Sequence, residues 1–159
     1  MMHLDRYEQR WLWATCVMLV VFVIAIAVTA FVVGVQVPGV SVRVTPATVG
    51  AAGPFASPGQ RQLGPGRYDA YVRAQIWAFF PNEMHVPQGS TVTFHVTSQD
   101  VQHGFYVGGT NIHMIVLPGQ VSDLTATFRR AGSYPFWCDE YCGLNHQTMS
   151  GRIVVDPAK

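Results

Sequence analysis

Charge is scarce in this sequence: Asp, Glu, Lys and Arg make up 12% of 159 residues, about half of the roughly 25% usual in soluble domains. Such a deficit indicates that part of the chain lies in a membrane. Lys and Arg form no cluster, neither end carries an acidic or basic tail, and the formal net charge is +1. A nucleic-acid partner, which calls for a basic face, is therefore excluded. There is no internal repeat and no long amphipathic helix. Cysteine is sparse too, with three residues. Cys16 lies in an apolar run, where it serves as a small hydrophobe. Cys138 and Cys142 lie near the C-terminus. In an exported domain such a pair forms a disulfide by default, so any other use must be argued from its neighbours.

The missing charge is missing mainly from one place. From Trp11 to Val35 the chain reads WLWATCVMLVVFVIAIAVTAFVVGV, without a charged residue. At about 1.5 Å per residue, a helix over 11–35 exceeds the roughly 30 Å hydrocarbon core of a bilayer. Trp11 and Trp13 stand where an interfacial anchor belongs. Val28-Thr29-Ala30 mimics a processing site, but the run is too long for a cleaved signal. Arg6 and Arg10 precede the span and only Arg43 follows it closely. Residues 1–10 are thus expected as a cytoplasmic tail, with the C-terminal part on the outer side of the cell membrane. Residues 36–66, rich in Pro and Gly, are expected as a semi-extended spacer over the membrane surface.

From residue 67 onward the period changes to two. Tyr68, Ala70, Val72, Ala74 and Ile76 share one face of a strand; Val92, Phe94 and Val96 alternate with Thr91, Thr93, His95 and Thr97. Leu124, Ala126 and Phe128 repeat the pattern, and Ile153 to Val155 is a short apolar strand. Val86-Pro87-Gln88-Gly89, Leu117-Pro118-Gly119 and Arg130-Ala131-Gly132 punctuate these runs. Short strands with one polar face and Gly/Pro turns predict an all-β sandwich or small barrel over 67–159.

The chemistry is concentrated in Trp137-Cys138-Asp139-Glu140-Tyr141-Cys142-Gly143-Leu144-Asn145-His146-Gln147-Thr148-Met149. Two thiols, an imidazole and a thioether fall within a dozen residues, between two expected strands. Soft sulfur donors with imidazole select copper over hard cations. A loop between strands of a rigid sandwich holds such donors fixed in either oxidation state, which suits electron transfer. His103, in Asp100-Val101-Gln102-His103-Gly104, is the best candidate for a second imidazole. A Cys138–Cys142 disulfide leaves His146 and Met149 unexplained. Zinc takes Cys and His, and Met149 is atypical of it. A mononuclear blue-copper site explains every donor except the second cysteine. Two thiolates four residues apart can instead bridge a pair of coppers, and the spacing ranks two ions ahead of one.

The run C-x-E-x-C-x-x-x-H-x-x-M, with D-V-x-H some forty residues upstream, resembles the copper-A loop of cytochrome c oxidase subunit II. Ser98-Gln99-Asp100-Val101, Val86-Pro87-Gln88-Gly89 and Gly108-Gly109-Thr110-Asn111-Ile112 resemble the B-type branch, as does a single anchor helix. The resemblance implies a cupredoxin-like Greek-key β-sandwich on one transmembrane helix. It implies that Cys138 and Cys142 bridge two coppers, that His103 and Met149 complete one, and that His146 and the Glu140 backbone carbonyl complete the other. It implies a cytochrome c donor and a haem-bearing subunit I, where oxygen is reduced to water and protons are pumped. The family's glutamate at the position of Glu140 often holds magnesium or manganese, whereas B-type relatives tend to carry glutamine there. Trp77, in Trp77-Ala78-Phe79-Phe80, resembles the residue through which subunits II take up electrons, although core packing claims most such aromatics. The low charge predicts a largely apolar docking surface with modest electrostatic steering. A copper-A subunit of a nitric oxide reductase and a membrane-tethered copper-delivery module are the alternatives.

Other residues of ligand type are expected to be bystanders. His95 reads as a solvated surface histidine, His113 and Met114 as loop residues, and His85 and Met84 as the start of a strand. His3 falls in the tail, and Asp123 and Asp156 read as solvated.

Overall fold

The computed structural model describes residues 5–33 and 37–158. His3, the first residues of the expected tail, the end of the expected span at 34–35, Gln36 and Lys159 lie outside them. The chain divides into a helical unit, 1–36, and a β unit, 37–159.

The helix α1 spans Arg6–Val28 and runs on into a π-helical turn, Thr29–Val33. It starts five residues before the apolar run because Asp5-x-x-Glu8 forms a capping box. The Asp5 carboxylate accepts from the Tyr7 and Glu8 amides at 2.6 and 3.0 Å, and the Asp5 amide donates to Glu8 Oε2 at 3.1 Å. None of its described residues is buried within the chain, and its apolar surface faces outward all round. Among the described residues it is the one helix long and apolar enough to cross a membrane.

Among its described residues the β unit holds eleven strands: β1 (Gly39–Arg43), β2 (Gly59–Gly64), β3 (Arg67–Gln75), β4 (Ala78–Phe80), β5 (Glu83–Pro87), β6 (Thr91–Ser98), β7 (His103–Val107), β8 (His113–Val116), β9 (Gln120–Thr127), β10 (Gly132–Trp137) and β11 (Ser150–Asp156). One sheet runs β1-β9-β6-β3-β2, with β4 also paired to β3; the other runs β5-β11-β10-β7-β8. Most pairs are antiparallel; β3 with β6 and β5 with β11 are parallel. The all-β expectation holds, and the period of two is what builds it. Ala70, Val72 and Ala74 of β3, Val92, Phe94 and Val96 of β6, and Leu124 and Ala126 of β9 all turn inward. They meet Phe105 and Val107 of β7, Phe136 of β10, and Ile153 and Val155 of β11 in one core. Phe79, Phe94, Phe105, Phe128 and Phe136 form its aromatic centre through edge-on or tilted contacts at 5.1–6.2 Å. Each buried ring contributes on the order of 1.5–3 kcal/mol relative to exposure. Ile76, expected on the inward face of the first strand, lies just past the end of β3 and is exposed.

Residues 36–66 depart from the expected spacer. They carry β1 and β2, which extend the first sheet at opposite edges. Between those strands Val49 and Phe55 pack on Val121 and Tyr71 to form a small second core. Arg73 Nη1 donates to the Phe55 carbonyl at 2.9 Å and ties that segment to β3. A run poor in apolar period can therefore still fold, through backbone pairing at sheet edges and a few isolated anchors.

His95 and Asp123 also differ from their expected solvation. The register sets His95 opposite Tyr71 on β3 and Asp123 on β9. His95 Nδ1 lies 2.7 Å from Asp123 and Nε2 lies 3.5 Å from Asp69, and its side chain is only 19% exposed. The Tyr71 ring stacks on it at 4.8 Å. Met114 is a core residue of β8 rather than a loop residue, and Met84, at the start of a strand as expected, also enters the core. Asp156 lies 3.7 Å from His85 at the exposed end of β11.

Candidate metal centre

The segment from Trp137 to Ser150 leaves β10 and returns as β11. Because the two strands pair antiparallel, Trp137 opposite Ser150, the intervening residues must form a closed loop. Its neck is held by the Cys138 amide, which donates to the Met149 carbonyl at 3.0 Å. Inside, Gly143 at φ +125° turns the chain in a region L side chains avoid. A single 3₁₀ turn over His146–Thr148 follows, closed by the Met149 amide on the His146 carbonyl at 3.1 Å. Spacings of four, four and three residues thus bring Cys138, Cys142, His146 and Met149 to one side of the loop.

The donor atoms converge. Cys138 Sγ and Cys142 Sγ lie 3.7 Å apart, far beyond the ~2.05 Å of a disulfide, and both are free thiols. Cys142 Sγ is 3.6 Å from His146 Nδ1 and 3.8 Å from Met149 Sδ. Cys138 Sγ is 3.8 Å from His103 Nδ1 and donates to the Glu140 carbonyl at 3.1 Å. His103, Cys138 and Cys142 offer ligand atoms within 4.8 Å of one another, a spacing that could hold metal. His103 is fully buried at the start of β7, a strand that the period-two pattern did not predict. Cys138, Cys142 and Met149 are buried; His146 is half-buried.

The tautomer of His103 follows from its other neighbour. Burial pushes the Asp100 carboxyl up, but hydrogen bonds from His103 and from the Ile76 and Val101 amides more than reverse this, leaving it below the usual carboxylate value. An ionised carboxylate only accepts. His103 Nε2 therefore carries the proton it gives to Asp100 Oδ1 at 2.8 Å, which turns Nδ1 to the side of the thiols. Asp100 is the residue that sequence reasoning missed. It stood inside the D-V-x-H motif without a role, because its partners lie in a turn twenty-four residues upstream and on the ligand itself.

Burial above all, then the hydrogen bond with Cys138 and the nearby charges of Cys138 and Asp100, push the Cys142 thiol up to about 12 from 9.0. The sign is definite: between pH 9.0 and about 12 the folded metal-free chain retains a proton that the unfolded chain releases. Its stability therefore falls as pH rises through that window and is untouched by this group below it. Urea melts of the metal-free chain on either side of pH 9.0 check this; equal midpoints would contradict it. Soft metal binding, which needs thiolates, must overcome the same protonation and release protons.

The remaining candidates fall outside the cluster. His113 Nε2 pairs with Asp139 Oδ2 at 2.5 Å on the surface. The Glu140 carboxylate accepts from Gln102 Nε2 at 3.4 Å, while its backbone carbonyl accepts from Cys138 Sγ. Trp77 is half-buried, and its indole Nε1 would lie 3.0 Å from a Cβ placed on Gly143, so the ring seats directly on the ligand loop. Ala78 and Phe80 beside it form the short strand β4, and Phe79 enters the core. A groove of about 530 Å³, lined by Val49, Phe55, Tyr71, His95 and Val121 among others, shares no residue with the cluster.

Comparison with known proteins points the same way. Residues 75–157 match the family model for the periplasmic domain of cytochrome c oxidase subunit II. Cytochrome c oxidase subunit 2 of Thermus thermophilus is 48% identical over 153 residues, covering 94% of this chain and 91% of that relative. A cryo-EM structure of a haem–copper terminal oxidase dimer contains a chain that superposes with a TM-score of 0.79 at 29% identity, covering 95% of this chain and all of that one. The periplasmic domain of subunit II of cytochrome oxidase from Bradyrhizobium japonicum shares the fold at a TM-score of 0.53 and 21% identity, over 56% of this chain and 83% of that one. By sequence along nearly its whole length and by the sandwich that carries its sulfur–imidazole cluster, this chain belongs to the cytochrome c oxidase subunit II family.

Proposed function

We propose that the chain accepts single electrons from cytochrome c at a pair of copper ions held by His103, Cys138, Cys142, His146, Met149 and the backbone carbonyl of Glu140, and passes them to haem in subunit I. As a family member the chain is part of an oxidase, an oxidoreductase complex. The observation that carries the copper reading is the pair of free thiols 3.7 Å apart, flanked by imidazole nitrogens at 3.6 and 3.8 Å and a thioether at 3.8 Å. Two thiols, two imidazoles and a thioether form a soft set that fits copper, and the Glu140 carbonyl is the one oxygen among them. A copper pair held by these donors would supply a one-electron carrier whose charge is shared by both ions, so that little would have to move on reduction.

The residues of the chain do the rest. β7 and β10 enter the site from the core and fix His103 and Cys138, while the pinned neck of the loop fixes Met149. Burial of Met149 and both cysteines keeps water from these donors. Tyr141 and Leu144, 77% and 82% exposed, project from the ligand loop as an apolar surface. With Trp77 seated on Gly143, that surface is where cytochrome c docks and where Trp77 takes up the electron. Subunit I then reduces oxygen to water with proton pumping. The single apolar helix and the periplasmic family domain make this a single-pass membrane protein; the N-terminus lies in the cytoplasm and the β unit outside. The Thermus relative favours the B-type branch and oxygen rather than nitric oxide as the terminal substrate. Burial of His103, Cys138, Cys142 and Met149 disfavours a delivery module, which must exchange its metal.

The full chain in detergent, loaded with copper and mixed rapidly with reduced cytochrome c, tests this. One electron taken up per chain, at a rate nearly flat in ionic strength, is expected. No uptake, with ready loss of copper to a chelator, contradicts electron transfer in favour of delivery. A steep fall with salt contradicts the apolar docking surface.

Glu140 has a further part to play: its carboxylate, free of the copper donors, holds magnesium or manganese at the junction with subunit I. In the intact complex Glu140→Gln lowers the content of that ion while copper stays. Unchanged magnesium and manganese content would sink this assignment.

A further inference from the structure

Asp100 lies between two parts of the molecule that both end at the ligand loop. Its Oδ1 accepts from His103 Nε2 at 2.8 Å, from the Val101 amide at 2.7 Å and from Ser98 Oγ at 3.3 Å. Its Oδ2 accepts from the Ile76 amide at 2.6 Å. Ile76 lies between β3 and β4 and is followed by Trp77, whose indole rests on Gly143 between Cys142 and His146. One carboxylate thus closes a path from His103 through Ile76 and Trp77 back to the loop that carries the other donors.

We propose that Asp100 is a positioning residue for the metal centre: its two oxygens bridge His103 to the Ile76–Trp77 turn, fixing together the orientation of an imidazole donor and the seat of Trp77 on the ligand loop. This rests on the copper reading above. Both oxygens are needed, because the partners on each side are N–H donors and only a carboxylate accepts on both. Asparagine keeps the shape but presents an NH₂ group to one of the two partners. Removal of the bridge leaves His103 free to rotate and to change tautomer, which lowers its value as a donor. Loss of such an outer partner typically costs about 10–100-fold in metal affinity.

The test uses the full chain in detergent as wild type, Asp100→Ala, Asp100→Asn and Ser98→Ala. Ser98→Ala removes the hydroxyl's contacts with the Val101 carbonyl, the Asp100 amide and Asp100 Oδ1, while sparing both arms of the bridge. Copper retention against a chelator is read together with NMR signals of the His103 ring N–H and the Trp77 indole N–H. Asp100→Ala is expected to bind copper about 10–100-fold more weakly, to lose the protected His103 ring proton and to shift the Trp77 signal. Ser98→Ala is expected to leave retention within about twofold, well inside that range. The proposal is overturned if Asp100→Ala retains copper as wild type does, or if His103 responds while Trp77 does not. If Asp100→Ala does not fold, Asp100→Asn decides, since one of the two signals must move in it; neither moving overturns the bridge. Should the wild type bind no copper pair, the copper reading fails by itself, and the two signals in the metal-free chain still decide whether Asp100 joins His103 to Trp77.

Discussion

Cys142→Ser is expected to lower copper from two ions per chain to at most one, and to slow electron uptake by more than the ~100-fold upper range for loss of an outer-shell partner. Cys142 is the donor with most at stake. Its sulfur is 3.7 Å from Cys138 Sγ, 3.6 Å from His146 Nδ1 and 3.8 Å from Met149 Sδ. A hydroxyl is a hard, weakly acidic donor that does not bridge soft ions as a thiolate does. The fold should survive, because Cys142 lies at the margin of the core and serine is no larger. Metal analysis and rapid mixing with reduced cytochrome c check this against a circular dichroism spectrum that reports retained strands. A well-folded variant with two coppers and undiminished uptake would contradict the assignment of Cys142 as a bridging ligand.

Phe105→Ala is expected to cost about 3–5 kcal/mol of stability, a large share of the roughly 5–15 kcal/mol that holds a domain together. Phe105 is fully buried and touches Phe79, Phe94 and Phe136 at 5.4, 5.9 and 5.1 Å. These three come from both sheets, so the cavity would open at the centre of the sandwich where collapse is hardest. At about 4 °C per kcal/mol for a domain of this size, the melting midpoint should drop by roughly 12–20 °C. Phe105 also lies two residues along β7 from His103, so copper retention should weaken with it. Thermal melts of metal-free and copper-loaded chain measure both; a drop of only a few degrees would mean that the site closes over the missing ring.

The strands legible in the sequence are those whose inward faces are apolar at every second position. β3, β6 and β9 bury Val72, Val96 and Leu124 as expected, because the physics that writes the pattern is the physics that folds it. β1 and β2 were not legible for the converse reason. They are edge strands, Gly-Val-Ser-Val-Arg with no buried position and Gly-Gln-Arg-Gln-Leu-Gly with none, held by backbone pairing to β9 and β3. Nothing in their side chains announces a partner, and the surrounding Pro and Gly argue for a spacer.

The metal cluster divides in the same way. Four of its side chains fall in one contiguous loop, so spacing alone gathered them, and the structure brings their donor atoms within 4 Å links of one another. His103 lies outside that loop and entered as the best candidate for a second imidazole, with its ligand role implied by the family motif; its burial beside Cys138 depends on β7 lying next to β10. The roles of Asp100 and His95 depend wholly on tertiary register. Tyr71, His95 and Asp123 share one row, with Asp69 two residues away along β3, only because β3, β6 and β9 are neighbours in register, which no local pattern encodes. The helix start at Arg6 falls inside the expected tail of residues 1–10, although Asp5-x-x-Glu8 is a capping box ahead of the apolar run.

Electron paramagnetic resonance of the copper-loaded full chain tests the central claim most directly. Two coppers per chain, with one unpaired electron shared equally between two copper nuclei, is the result expected from paired thiolates with one imidazole on each side. A single copper with the spectrum of a mononuclear blue-copper site would contradict it.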